Sequence, residues 1–263
     1  MADPAPSRWR WCALLLLAML AGAAQAWSMA PVALGWLQVL SVGALVGLVG
    51  ACPRRRAGWI GGAFGVAWLG GTFWWLFISM YRYGHLPAWL AGLAVAALAA
   101  ALSGYLALAM AVFARWQQGR LVPDLLLWSA LWLLAELGRG VVFTGFPWGA
   151  AGYAHVDGPL AALAPWVGVY GMGAVAAALG LLVQRGLASA GWVERLGAML
   201  AVAALAGLPG WSGGEFTRAR SELSVTLLQG NVPQDEKFDF NRLPETLDWY
   251  LKALLASKSD LVI

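Results

Sequence analysis

The chain has 263 residues, of which 61% are hydrophobic and only 11% are charged, and its formal net charge is +4. A soluble globular domain carries about 25% charged residues, so these charges are too few to cover a water-facing surface. Most of the chain must therefore face lipid or other apolar helices. No basic stripe with interleaved aromatic residues is present, which argues against a nucleic-acid partner.

The charged residues divide the chain into two parts. Residues 1–214 have a net charge of +6, and residues 215–263 have a net charge of −2 although they make up a small fraction of the length. We therefore predict a transmembrane helical domain over residues 1–210 and a separate, water-soluble domain that begins at residue 211.

Apolar runs long enough to form membrane helices recur along the first part. They cover residues 11–27, 32–51, 57–80, 87–114, 121–138, 166–184 and 193–209. The predicted fold is an all-α polytopic membrane bundle of about seven transmembrane helices. The first run leaves an alternative open, because Arg8 and Arg10 followed by an apolar stretch and Ala24-Gln25-Ala26 also resemble a cleaved signal peptide.

The arginines predict the orientation of the bundle. With the N-terminus in the cytoplasm, nine arginines before residue 210 fall on the cytoplasmic side and two, Arg82 and Arg139, fall outside. Short cytoplasmic loops are enriched in Lys and Arg. The polar part after residue 210 is then expected on the outer, periplasmic side.

The segment after the fifth run is predicted to be irregular and functional. Glu136 and Arg139 are three residues apart and share a helix face, so they form either an ion pair that fixes the helix end or a site for a lipid headgroup. The following residues 144–153 contain three glycines and a proline, which exclude one regular helix. Irregular backbone at membrane depth is tolerated where it is buried by protein or lines a cavity, so we expect a site that takes a substrate from the outer leaflet.

The remaining chemically active side chains give weaker signals. His85 and His155 are expected to be surface or interfacial residues, and Cys12 and Cys52 are expected to be unpaired apolar side chains. No group of His, Cys or carboxylate residues has metal-ligand spacing. We therefore expect neither a metal nor another cofactor.

The polar tail is predicted to alternate strand and helix. Residues 224–228 form a β-branched and apolar run, residues 243–256 have apolar side chains at helical spacing, and a second strand begins at residue 260.

Several motifs together resemble the apolipoprotein N-acyltransferase family. They are Trp74-Trp75 with Ser79, Gly84 and Pro87; Glu136-x-x-Arg139-Gly140; Thr144-Gly145-Phe146-Pro147-Trp148; Gly152-Tyr153; Asp157-Gly158-Pro159-Leu160; Leu163-Ala164-Pro165; Gly168-Val169; and Leu228-Gln229-Gly230-Asn231-Val232-Pro233-Gln234. The resemblance covers residues 70–263 and implies that the tail is the start of a nitrilase-like α/β sandwich, truncated at Ile263.

The resemblance also implies a reaction and its partners. A Cys thiolate would take an acyl chain from a phospholipid, and the amine of a diacylglyceryl lipoprotein would attack the resulting thioester. The family's catalytic Glu, Lys and Cys are expected beyond Ile263, so we expect this chain alone to be inactive. It would be a monomeric, multi-pass protein of the bacterial inner membrane. Candidate lipid-binding residues are Glu136, Arg139, Thr144, Gly145, Phe146, Pro147, Trp148, Tyr153 and Phe238, the last of which lies where family members commonly have Trp and is otherwise an ordinary loop aromatic.

Two other classes of protein remain open at this point. A transporter or permease should place ionisable residues or broken helices near the bilayer midplane, whereas here the ionisable residues cluster at the ends of the runs. A non-catalytic membrane anchor would not require the motif at residues 144–153.

Overall fold

A computed structural model describes residues 7–188, 191–207, 217–234, 236–237 and 239–263. The chain separates into two compact units, residues 1–213 and 214–263.

Each predicted apolar run contains helix within the described residues. The first unit contains α1 (Arg8–Trp27), α2 (Gly35–Ala51), α3 (Ala57–Thr72), α4 (Trp74–Ile78), α5 (Ala88–Trp116), α6 (Leu121–Val141), α7 (Ala164–Ala188) and α8 (Trp192–Gly207). Proline precedes α5 at Pro87, where the missing N–H would have no partner within the helix. The predicted multi-helix apolar bundle is confirmed.

Fewer than seven helical segments of the described residues have the length and composition expected of a membrane span. Four helical segments of the described residues are long and apolar enough, at Arg8–Trp27, Ala88–Trp116, Leu121–Thr144 and Pro159–Ala188. A fifth is obtained if Arg54–Thr72 and Trp74–Tyr83, which meet at a bend of 51°, count as one span. The apolar α2 has only 17 residues, and α8 carries Glu194 and Arg195 in 16 residues. By length and composition, the described residues support four or five spans.

Small residues bring the helices close together. A Cβ atom at Gly65 would lie 2.8 Å from the Cβ of Ser103 on α5, and one at Gly43 would lie 3.1 Å from the carbonyl oxygen of Gly180 on α7. The glycine spacing in α2 and α3 therefore serves helix packing, as expected for apolar helices. Aromatic rings fill the interior, and the buried indole N–H of Trp128 donates to the carbonyl oxygen of Ala177 at 3.1 Å.

One end of the bundle is fixed by an ion pair that the sequence did not reveal. The buried carboxylate of Asp124 accepts the backbone N–H groups of Gln118 and Gly119 at 2.7 and 3.0 Å. It also pairs with Arg185 at 2.7 Å. The loop before α6 is thereby tied to the last turn of α7.

The second unit has the predicted order of strand, helix and strand. Its elements are β1 (Val225–Thr226), α9 (Leu243–Ala256) and β2 (Leu261–Val262). The two strands are parallel, with Val225 opposite Leu261 and Thr226 opposite Val262. The helix matches its predicted bounds, whereas each strand has only two residues.

Candidate functional site

The chain turns back on itself directly after α6. Phe143, Thr144 and Gly145 have φ values of 54°, 72° and 78°. A Cβ atom at Gly145 would overlap the carbonyl oxygen of Gly140, so only glycine fits this position. The turn closes with a hydrogen bond of 2.7 Å from the Phe146 N–H to the Arg139 carbonyl. The residues that follow, 144–153, therefore lie against the end of α6 and are called the bent segment below.

Arg139 binds the bent segment through the carbonyl groups of its backbone. Its guanidinium Nη1 donates to the carbonyl oxygens of Phe146, at 3.2 Å, and of Trp148. Its Nη2 lies 3.4 Å from the carbonyl oxygen of Gly149. Arg139 is only 3% exposed. Its planar fork of N–H donors therefore satisfies buried carbonyl groups that have no partner in regular secondary structure.

Glu136, one turn earlier on α6, binds the far end of the same segment. Its Oε1 accepts the backbone N–H of Ala151 at 3.0 Å, and Ala151 is the first residue of the 3-10 helix Ala151–His155. A carboxylate is favourable at the start of such a turn, because the first N–H groups have no helical partner. Glu136 is also 3% exposed.

The structure brings Glu136 and Arg139 together on one helix face, but not as a direct pair. Within the part of the chain that is described, they form no ion pair of 4.0 Å or less. The two side chains still interact electrostatically over a longer distance, so the alternatives of an ion pair and a headgroup site stay predictions. Each charge instead satisfies backbone groups of the bent segment, and the two residues are called the Glu136/Arg139 clamp below.

The side chains of the bent segment and of the turn before it form an aromatic surface. Phe143, Trp148 and Tyr153 are 92%, 60% and 53% exposed, and Thr144 and Pro147 are exposed beside them. Phe146 is half-buried and packs edge-to-face on Phe73, with ring centroids 4.9 Å apart. Phe143 was not among the sequence candidates, although it directly precedes the motif.

An apolar groove lies next to this surface. It has a volume of about 380 Å³ and is lined by residues at the end of α1 and around the break between α3 and α4, including Trp27, Pro31, Thr72, Trp74 and Trp75. The ring of Trp75 also contacts Trp148, with centroids 5.8 Å apart. The groove and the bent segment are therefore continuous through these two indoles.

The two histidines differ from each other. His85 is exposed, as predicted, whereas the prediction of a surface position for His155 is wrong. His155 packs against α2 at Gly35, where a Cβ atom would lie 2.7 Å from its Nδ1. Burial lowers the pKa of His155 to about 4, so its imidazole is neutral at physiological pH.

The remaining sequence candidates concern metal ligands, the two cysteines and Phe238. The described residues contain no group of three His, Cys, Asp or Glu side chains that could hold a metal ion. Cys12 and Cys52 are free thiols. Phe238 lies outside the described residues.

Comparison with known proteins identifies the family. Residues 21–182, which include the clamp and the bent segment, match the model of the apolipoprotein N-acyltransferase N-terminal domain. An apolipoprotein N-acyltransferase of Verminephrobacter eiseniae is 46% identical, with 100% of this chain and 52% of the relative aligned. One of Ralstonia nicotianae is 41% identical over 94% of this chain and 48% of the relative, and one of Chromobacterium violaceum is 38% identical over 95% and 49%.

The chain spans about half the length of these curated relatives. The family match itself extends over more than half of the chain. The chain therefore belongs to the apolipoprotein N-acyltransferase family.

Proposed function

We propose that this chain supplies the membrane part of an apolipoprotein N-acyltransferase. The reaction would move an acyl chain from a phospholipid, through a thioester on the enzyme, to the N-terminal diacylglyceryl-cysteine of a lipoprotein. The observation that carries the proposal is the bent segment. It is an irregular backbone with an aromatic surface, it is held by two buried charges, and it lies within the family match.

Within this function, the residues of the site have two roles. Trp148, Tyr153, Phe146, Pro147 and the turn residues Thr144 and Gly145 would face the lipid substrates, and the adjoining groove would take apolar chain. Glu136 and Arg139 would hold that surface in place rather than bind a headgroup, since both are almost fully buried and already bind backbone. Amphipathic Trp and Tyr rings suit the interface between acyl chains and headgroups.

We further propose the orientation of the chain in the inner membrane. The N-terminus would be cytoplasmic, and the bent segment and residues 211–263 would lie on the periplasmic side. The arginine distribution supports this, and the Asp124–Arg185 pair lies at the arginine-rich end of α6 and α7. Seven crossings require that α2 and α8 also span. At 1.5 Å per residue, the 17 residues of α2 cover about 25 Å, which is close to the hydrocarbon thickness.

The second unit would be the start of a nitrilase-like domain, with domains at 1–210 and 211–263. Parallel strands joined through a helix support this, since parallel pairing needs such a crossover. Phe238 would contribute a lipid contact, as the resemblance implies. The catalytic Glu, Lys and Cys implied by the family match no residue of 1–263, so no catalytic role is assigned within this chain.

A chimera tests the proposal. Residues 1–263 would replace the aligned half of the Verminephrobacter eiseniae relative, and N-acylation of a diacylglyceryl-cysteine peptide would be measured in phospholipid vesicles. We expect N-acylation by the chimera. The variant W148A should reduce it, whereas W9A should not, because Trp9 is an even more exposed indole (88% against 60%) at the opposite end of the bundle. A folded chimera without activity, or equal effects of both variants, would contradict the proposal.

A further inference from the structure

Three buried polar atoms beside the Glu136/Arg139 clamp have no hydrogen-bond partner among the described residues. They are Oε2 of Glu136, the indole Nε1 of Trp132 and the indole Nε1 of Trp68. Trp68 and Trp132 stack on each other with ring centroids 5.7 Å apart. Unpaired polar groups in an apolar interior are costly, and buried ones are nearly always satisfied by protein or by ordered water.

A small cavity is lined by the residues that carry these three atoms. It has a volume of about 10 Å³, and its lining includes Trp68, Trp132, Glu136 and Arg139. A cavity holds one water when it offers roughly 10–15 Å³. The volume therefore fits one water molecule, and it excludes a phosphate or any other part of a lipid headgroup.

The contact between Trp132 and Glu136 favours the same ligand. The Trp132 side chain lies one turn before Glu136 on α6 and close enough to interact with the carboxylate, yet its N–H meets the geometry of a hydrogen bond with no described atom. Neighbouring polar groups that do not bond directly to each other are commonly bridged by water.

We propose that this cavity is a binding site for a single ordered water. The water would accept the indole N–H groups of Trp132 and Trp68 and donate one of its protons to Oε2 of Glu136. Three partners are typical of a buried water. One carboxylate oxygen of Glu136 would then accept the N–H of Ala151 in the bent segment, and the other would accept a proton from the water. Because the water also binds Trp68, it would connect the Glu136/Arg139 clamp to α3.

Substitution of the indoles tests the site, with Trp128 as the matched control. W128F removes a buried N–H whose protein partner is known, the carbonyl of Ala177. With water bound, W132F removes a satisfied donor too, so it should lower the unfolding temperature of the whole chain in detergent about as much as W128F. If the Trp132 N–H is unsatisfied, its removal relieves a penalty. A clearly smaller effect of W132F than of W128F would therefore overturn the proposal.

A second measurement on the unmodified chain does not depend on how the variants fold. In protein labelled with ¹⁵N at its indoles, the N–H of Trp132 should show magnetisation transfer from a long-lived water, and the N–H of Trp128 should show none. Absence of transfer at Trp132 would contradict the site. The result is independent of the proposed acyl transfer, because neither measurement involves a lipid substrate.

Discussion

Replacement of Arg139 by methionine should release the bent segment from α6. The variant keeps an unbranched side chain but loses all donors to the carbonyls of Phe146, Trp148 and Gly149. A hydrogen bond to a charged group contributes about 1.5–3 kcal/mol. The contact to Gly149, at 3.4 Å, adds little, so the other two bonds give about 3–6 kcal/mol. Relaxation of the released carbonyls should bring the observed loss of unfolding free energy to the lower end of this range.

Equilibrium unfolding in mixed detergent micelles, followed by circular dichroism during an SDS titration, measures this loss. R139K keeps the charge but not the planar fork, so it should lose about half as much. R120M is the control, because Arg120 is exposed directly before the same helix, and it should change the free energy by less than about 0.5 kcal/mol. If R139M is as stable as R120M, the clamp does not hold the segment.

Three further predictions concern other parts of the structure. G145A places a Cβ at a φ of 78° and should lower the unfolding free energy by at least about 1 kcal/mol. An unchanged midpoint in the SDS titration would contradict the described conformation of this turn. D124A leaves Arg185 without its buried partner. It should lower the unfolding free energy by about 3 kcal/mol, the low end of the range for broken buried pairs, because Arg185 is partly exposed. Hydrogen bonds from the Ser224 hydroxyl and N–H hold the pKa of Asp260 below its usual value. These bonds therefore stabilise the fold at a pH above the pKa of Asp260 in the unfolded chain, and this stabilisation is lost as the pH falls through its pKa in the folded chain. S224A should raise this pKa in an NMR titration, and an unchanged value would contradict the assignment.

The helices were predictable because each depends on local composition. Apolar runs bounded by proline, glycine or arginine became helices with ends shifted by a few residues, and α9 matched its predicted bounds. The count of membrane spans was less predictable, because it depends on where a run breaks. The third run bends by 51° between Thr72 and Trp74, and the sequence of aromatic residues there gives no sign of it.

The site was predictable in its residues but not in its contacts. Glycine and proline at 145–152 predicted irregular backbone, and that prediction is confirmed. The spacing of Glu136 and Arg139 predicted a shared face, but it could not show that each charge binds backbone groups seven to fifteen residues further along the chain. The burial of His155 against α2 likewise depends on a contact between segments distant in sequence.

The placement of the two ends of α6 tests the account most directly. Both native cysteines are replaced by serine, and a single cysteine is introduced either after α6 (V156C) or before it (Q118C). Cells that have lost the outer membrane but keep an intact inner membrane are then treated with a membrane-impermeant maleimide. Both positions are exposed on the protein. We expect labelling of V156C from outside, and labelling of Q118C only after the membrane is opened. Labelling of Q118C alone from outside would place the aromatic surface on the cytoplasmic side and contradict the proposed site.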